Sequence, residues 1–96
     1  MSRPHSTKTD AYMAFAHPIR RQVVEMLCEG ELTVGELAEP FKVSLPAMSQ
    51  HLQVLRKAKV VRQRRSGRQR VYRLNAAPIR EVAEWAGEQA EAAELL

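Results

Sequence analysis

The spacing of apolar residues changes once along this 96-residue chain, and that change limits what it can fold into. Up to Leu55 the apolar positions recur every three or four residues, the repeat of a helix with one buried face. Ile19, Val23, Met26 and Leu27 make one stripe; Val34, Leu37 and Ala38 make a second; Leu45, Met48, Leu52 and Leu55 make a third. From Val61 the pattern becomes β-prone. "VVRQRRSGRQRVYRL" holds two strand-like runs around Ser66-Gly67, a compact turn signal, so Val61 to Leu74 reads as a β-hairpin. Helical spacing returns from Ala77 to about Glu94, with Ile79, Val82, Ala83, Ala86 and Ala90 as a narrow small-residue stripe and glutamates over the rest. The expected class is mostly α with a small β-hairpin, in the order α-α-α-α-β-β-α.

Start and stop signals agree with these periods. Asp10 can cap a short first helix over Asp10 to Ala16, and Pro18 suits the first position of the second, which Gly30 ends. "TVGE" places Glu36 three residues after Thr33, the capping-box spacing, and Pro40 stops that third helix. Ser44 is a good N-cap for the fourth, with Pro46 in its first turn and Val43 able to staple onto Met48. Residues 10–96 read as one domain, and residues 1–9 as a polar, disordered lead-in whose Arg3 and Lys8 could meet a polyanion. That opening lacks the apolar stretch of a signal peptide, and no later run is long enough to span a bilayer, so no membrane partner is expected. Cys28 is the single cysteine, which excludes an intramolecular disulfide and suits the reducing cytoplasm. Lying in an apolar cluster, it reads as a small buried core residue.

Charge distribution carries the functional argument. The net charge is +4, yet between Glu39 and Glu81 there is no acid at all, while that interval holds 11 Lys and Arg. A solvated surface usually mixes both signs, so the one-signed interval points to a polyanion. The segment "SLPAMSQHLQVLRKAKVV" has a polar side made of hydroxyls, amides, an imidazole and then only cations. Two helices joined by a tight connection, the second exposing such side chains, match the helix-turn-helix arrangement. Gln50 and Gln53 can read a base edge, favouring adenine; Ser44 and Ser49 can bond to bases or phosphates; Ala47 can touch a thymine methyl. The hairpin after it, with Arg64, Arg65, Arg68 and Arg70 near its tip, suits a wing on the backbone or in the minor groove. His51 reads equally as a DNA contact and as an orienting hydrogen bond at a helix junction.

"AFAHPIRRQVVEML", "LTVGELAEPFKVSLPAMSQHLQVLRKAKVV" and "RQRRSGRQRVYRLN" together resemble the ArsR-type family of small bacterial winged-helix repressors, from about Tyr12 to Trp85. The resemblance implies a winged helix-turn-helix that dimerises through its first and last helices, sits on double-stranded operator DNA and represses nearby promoters. It makes Tyr12, Ile79, Val82, Ala83 and Ala86 candidate interface residues, with Trp85 at or near the same seam. It also raises the question of an inducer. Thr33 and Gly35 stand where metal-sensing members carry a Cys-x-Cys pair, and the closing helix lacks the His of a second, zinc-binding group. Both familiar metal sites are therefore expected to be absent, no cofactor is expected, and a metal-independent regulator is favoured. An unfamiliar metal site at the seam, Cys28 oxidation, an apolar ligand between closing helices, or no inducer all stay open.

No Gly-rich phosphate loop, nucleophile–base grouping or paired His ligands occur, so an enzyme is not expected. The other readings are a non-specific nucleic-acid coat, in which the arginines carry the affinity and the glutamines are incidental, and a winged helix turned to protein contacts.

Overall fold

The computed structural model describes the backbone of residues 7–96 and side-chain surroundings from Asp10 onward. The lead-in readings for Arg3 and for the Lys8 side chain lie outside the described residues. The order of elements is α1 (Thr7–Ala14), α2 (Pro18–Leu27), β1 (Leu32–Thr33), α3 (Val34–Ala38), a 3-10 turn (Glu39–Phe41), α4 (Leu45–Lys57), β2 (Val61–Ser66), β3 (Gln69–Leu74) and α5 (Ala76–Glu94). The first helix therefore starts before Asp10, which lies in its first turn and not at its cap, and it ends at Ala14.

The caps form as their chemistry dictates. His17 Nδ1 accepts from the Ile19 amide at 3.1 Å at the head of α2, with Pro18 as the first helical residue. Thr33 and Glu36 complete a capping box at α3, each side chain accepting the other's backbone N–H at 3.2 and 2.9 Å. Ser44 Oγ accepts from the Ala47 amide at 3.2 Å and opens α4. Removing such a cap costs about 1 kcal/mol.

The core is built from Val23 and Leu27 of α2, Leu37 of α3, and Met48, Leu52 and Leu55 of α4, closed by Val60, Val61 and Tyr72. Ala11 and Ala14 of α1 pack into the same cluster. Each buried leucine contributes roughly 1.5–3 kcal/mol. Two expectations are corrected here. Leu45 shares the helical phase of Met48 but is 53% exposed. As the first residue of α4 it projects past the end of the core. Cys28 is exposed, because it is the C-cap of α2 and sits one residue beyond the last buried position, Leu27.

The hairpin forms with Val61 opposite Leu74 and Ser66 opposite Gln69, so its two-residue turn is Gly67-Arg68, one step on from the expected centre. Gly67 has φ +62°, the conformation a type II′ turn requires at its first central residue. A third strand was not legible in the sequence. β1 pairs with β3 through Leu32 and Thr33, giving an antiparallel sheet in the order β1-β3-β2. Two residues carry no strand periodicity, and the pairing is supplied by the partner.

At the end of α4 the Lys59 amide donates to Arg56 O and the Val60 amide to Leu55 O, both at 2.9 Å. These are the two bonds of a Schellman cap, with fully buried Val60 and Leu55 as its apolar contact. Lys59 takes the left-handed position at φ +63°, where glycine is usual. Asn75 then ties the joint to α5: its side-chain amide donates to Lys59 O and its backbone N–H to Val60 O, both at 2.9 Å. A left-handed non-glycine residue costs about 1 kcal/mol. Lys59→Gly should therefore raise the unfolding free energy by up to about 1 kcal/mol in urea melts, and a loss of stability would contradict the strain assigned to this residue.

Candidate nucleic-acid interface

α3 and α4 pack against each other across the 3-10 turn, and burial of Met48, Leu52 and Leu55 decides which side of α4 faces out. Pro46, Gln50, Gln53 and Lys57 follow at helical spacing on that outer side, and all are exposed, as is Ser49. Ala47 is half-buried on the flank. The Ser44 hydroxyl oxygen is engaged by the Ala47 amide, so its first duty is to start the helix. Val54 is also outward, at 38% exposure.

His51 occupies a built junction. Its Nδ1 lies 3.4 Å from a terminal nitrogen of Arg20, and its ring centroid is 4.5 Å from that of His17. Arg20 in turn donates from Nε to Ala14 O at 2.8 Å and from its other terminal nitrogen to Met13 O at 3.1 Å. One guanidinium thus closes the C-terminal end of α1 and reaches α4 from α2. Nothing in the linear pattern marked Arg20 for this, since its partners are backbone carbonyls brought there by the fold. Partial burial, His17 and the Arg20 cation, in that order, hold the His51 imidazole below its ordinary pKa of 6.5. These contacts set the half-buried ring in the α2–α4 junction.

Strand register divides the wing arginines. Opposed residues share a face, so Arg65 and Arg70 lie on the face of Val61, Gln63, Tyr72 and Leu74, which packs toward α4. Arg62, Arg64 and Arg73 lie on the other face, and Arg68 is in the turn. Arg64 is not free: its Nε donates to Glu31 Oε2 at 2.9 Å and a terminal nitrogen to Oε1 at 3.3 Å. Glu31 precedes the acid-free interval in sequence, but pairing of β1 with β3 carries it onto the wing. The four arginines grouped by sequence therefore fall into an α4-facing pair, a turn residue and a paired one. Among the described residues no cluster of three or more His, Cys, Asp or Glu is positioned to hold a metal, and no helix is long and apolar enough to cross a membrane.

The candidate interface residues of the first and last helices form a patch within one chain. The Tyr12 and Trp85 rings lie 5.4 Å apart, and the buried Tyr12 hydroxyl lacks a hydrogen-bond partner. Ile79 and Val82 pack against the core, whereas Ala83, Ala86 and Trp85 are exposed.

The family model "Bacterial regulatory protein, arsR family" matches residues 17–63, the span from the α2 cap through α4 into the wing. The Bacillus subtilis transcriptional repressor SdpR is 33% identical over 76 residues, covering 79% of this chain and 84% of that protein. The chain belongs to the ArsR family. An HTH-type transcriptional regulator of Mycobacterium tuberculosis is 51% identical over 65 residues, 68% of this ArsR-family chain and 61% of the relative. A crystal structure of an ArsR family transcriptional regulator superposes with TM-score 0.83 at 33% identity, covering 98% of this chain and 97% of that one. A homodimeric winged helix-turn-helix DNA-binding domain from Mycobacterium bovis superposes with TM-score 0.72 at 26% identity, covering 94% and 84%. The ArsR-family fold is that of transcriptional regulators and not of enzymes, and the winged helix-turn-helix expectation stands.

The His51 junction makes a pH prediction. A lowered folded pKa means that the unfolded chain binds the proton more readily, so this contribution to stability is complete above about pH 6.5 and is lost as pH falls through the folded value. Ring-proton NMR should place the His51 midpoint below 6.5, and Arg20→Ala should move it upward. A midpoint at or above 6.5 would contradict the packed, neutral ring.

Proposed function

We propose that this protein is a homodimeric, sequence-specific repressor that reads an imperfect palindromic operator through α4 and grips the backbone with its wing. The observation that carries this reading is the outward side of α4. It is anchored by Met48, Leu52 and Leu55, exposes Ser49, Gln50 and Gln53 without a carboxylate, and stands beside the α4-facing pair Arg65 and Arg70. The amides supply base-edge donors and acceptors, and the arginines supply sequence-independent attraction to phosphates. Acids at these positions would be repelled by the same phosphates.

A second copy of the chain is the partner that suits α5. Pro78 is the one buried residue of this 19-residue helix, and Trp85 is 48% exposed. The homodimeric Mycobacterium bovis domain supports the same assembly. In such a dimer each subunit presents one α4, with half-sites one helical turn, roughly 34 Å, apart. Regulation without a metal is supported by Thr33 and Gly35 at the positions of the familiar thiolates, since Thr33 is already committed to capping α3. A cytoplasmic location follows from acting on the genome in a bacterial cell.

Selection of duplexes from a genomic library should return a preferred palindrome at moderate salt; uniform recovery of all sequences would favour a non-specific coat. Against the selected site, Gln50→Ala should relax preference at one position by about 1–3 kcal/mol. Arg65→Ala should weaken binding to every duplex and lower the salt slope by about one. Glu31→Gln should free Arg64 and tighten binding to all duplexes, which gel-shift titration would reveal.

A further inference from the structure

We propose that Gln63 is a positioning residue for DNA binding: it holds the Arg56 guanidinium, still fully charged, as a phosphate contact in the cleft between α4 and the wing. This rests on the DNA-binding reading above and adds two residues that the sequence did not single out. Gln63 lies on β2 opposite Tyr72, on the hairpin face turned toward α4. In the orientation that satisfies its amide, the nitrogen donates to the Tyr72 hydroxyl at 3.1 Å, and the oxygen accepts from both terminal nitrogens of Arg56 at 2.9 and 3.0 Å. Tyr72 is 7% exposed, so a chain of hydrogen bonds runs from the core through Gln63 to an arginine in the last turn of α4.

The identity of the holder matters. Arg64, on the opposite face of the hairpin, is paired with the Glu31 carboxylate, which orients the guanidinium and sets a negative charge beside it. Gln63 is neutral: it orients Arg56 and leaves the charge intact. An arginine has five N–H donors, and those not used by Gln63 remain for a phosphate oxygen. Fixing the side chain beforehand also reduces the entropy lost when DNA binds. The cleft is lined by Ser49, Gln53, Arg56, Gln63, Arg70 and Tyr72. Its volume of about 360 Å³ has room for a phosphodiester with its water, and its lining includes two arginines and no carboxylate. Ser49 and Gln53 from the reading side of α4 and Arg70 from the wing thus meet at the guanidinium that Gln63 orients.

Two substitutions separate orientation from charge. Gln63→Ala releases Arg56 but keeps its charge; Gln63→Glu keeps it held but neutralises it. Affinity for a mixed-sequence duplex a few helical turns long would be measured by fluorescence anisotropy across a salt series, with thermal melts to check folding. We expect Gln63→Ala to weaken binding about twofold to tenfold. Gln63→Glu should weaken it further and lower the salt slope by about one. In an Arg56→Ala background, Gln63→Ala should have no additional effect, an outcome that a merely structural contribution of Gln63 would not produce. Wild-type affinity in either Gln63 variant, or multiplying effects of Arg56→Ala and Gln63→Ala, overturns the proposal and leaves the DNA-binding reading intact. Absence of binding by the unmodified protein in low salt overturns both.

Discussion

Burial of Met48, Leu52 and Leu55 is the constraint on which the rest of the molecule depends. Three side chains on one stripe of α4 enter a core supplied by α2, α3 and the first residues of β2, and their burial fixes the rotation of α4 about its own axis. Gln50 and Gln53 then point outward because the opposite side of the helix is buried. The reading side is a by-product of the packing side. A residue inserted just after Ser44 would turn the two sides together by about 100° and set His51 in the place of buried Leu52.

The wing shows how a strongly basic surface is managed at short range. Of the cations between Lys42 and Arg80, one is paired with a carboxylate, another is steered by a neutral amide, and Arg65 and Arg70 stand opposite each other on one face. Like charges directly opposed across a hairpin destabilise it by a few tenths of a kcal/mol or more. The isolated protein bears that repulsion, and an anion between the strands' tips and α4 would relieve it.

Helical spacing and caps made α2, α3 and α4 readable from the sequence, because Ser44, Thr33 and Pro18 act on neighbours within one turn. The hairpin was equally readable, since Gly67 is a local demand of its turn. What stayed hidden was whatever depends on neighbours remote in sequence. β1 exists only against β3; Glu31 reaches Arg64 only across that pairing; Arg20 finds the end of α1 only after α2 folds back. The two burial errors, Leu45 and Cys28, share a cause: periodicity states which side of a helix faces inward but not where the core ends along its axis. The exposure of Ser49, Gln50 and Gln53 followed from the helical period, while the partition of the arginines by face needed the register.

Asn75 gives the architecture a mechanical property. Its two bonds tie the start of α5 to the cap that closes α4, so the two helices are joined directly as well as through the hairpin. A side-chain amide and a backbone N–H of one residue thus keep the start of α5 in register with the end of α4.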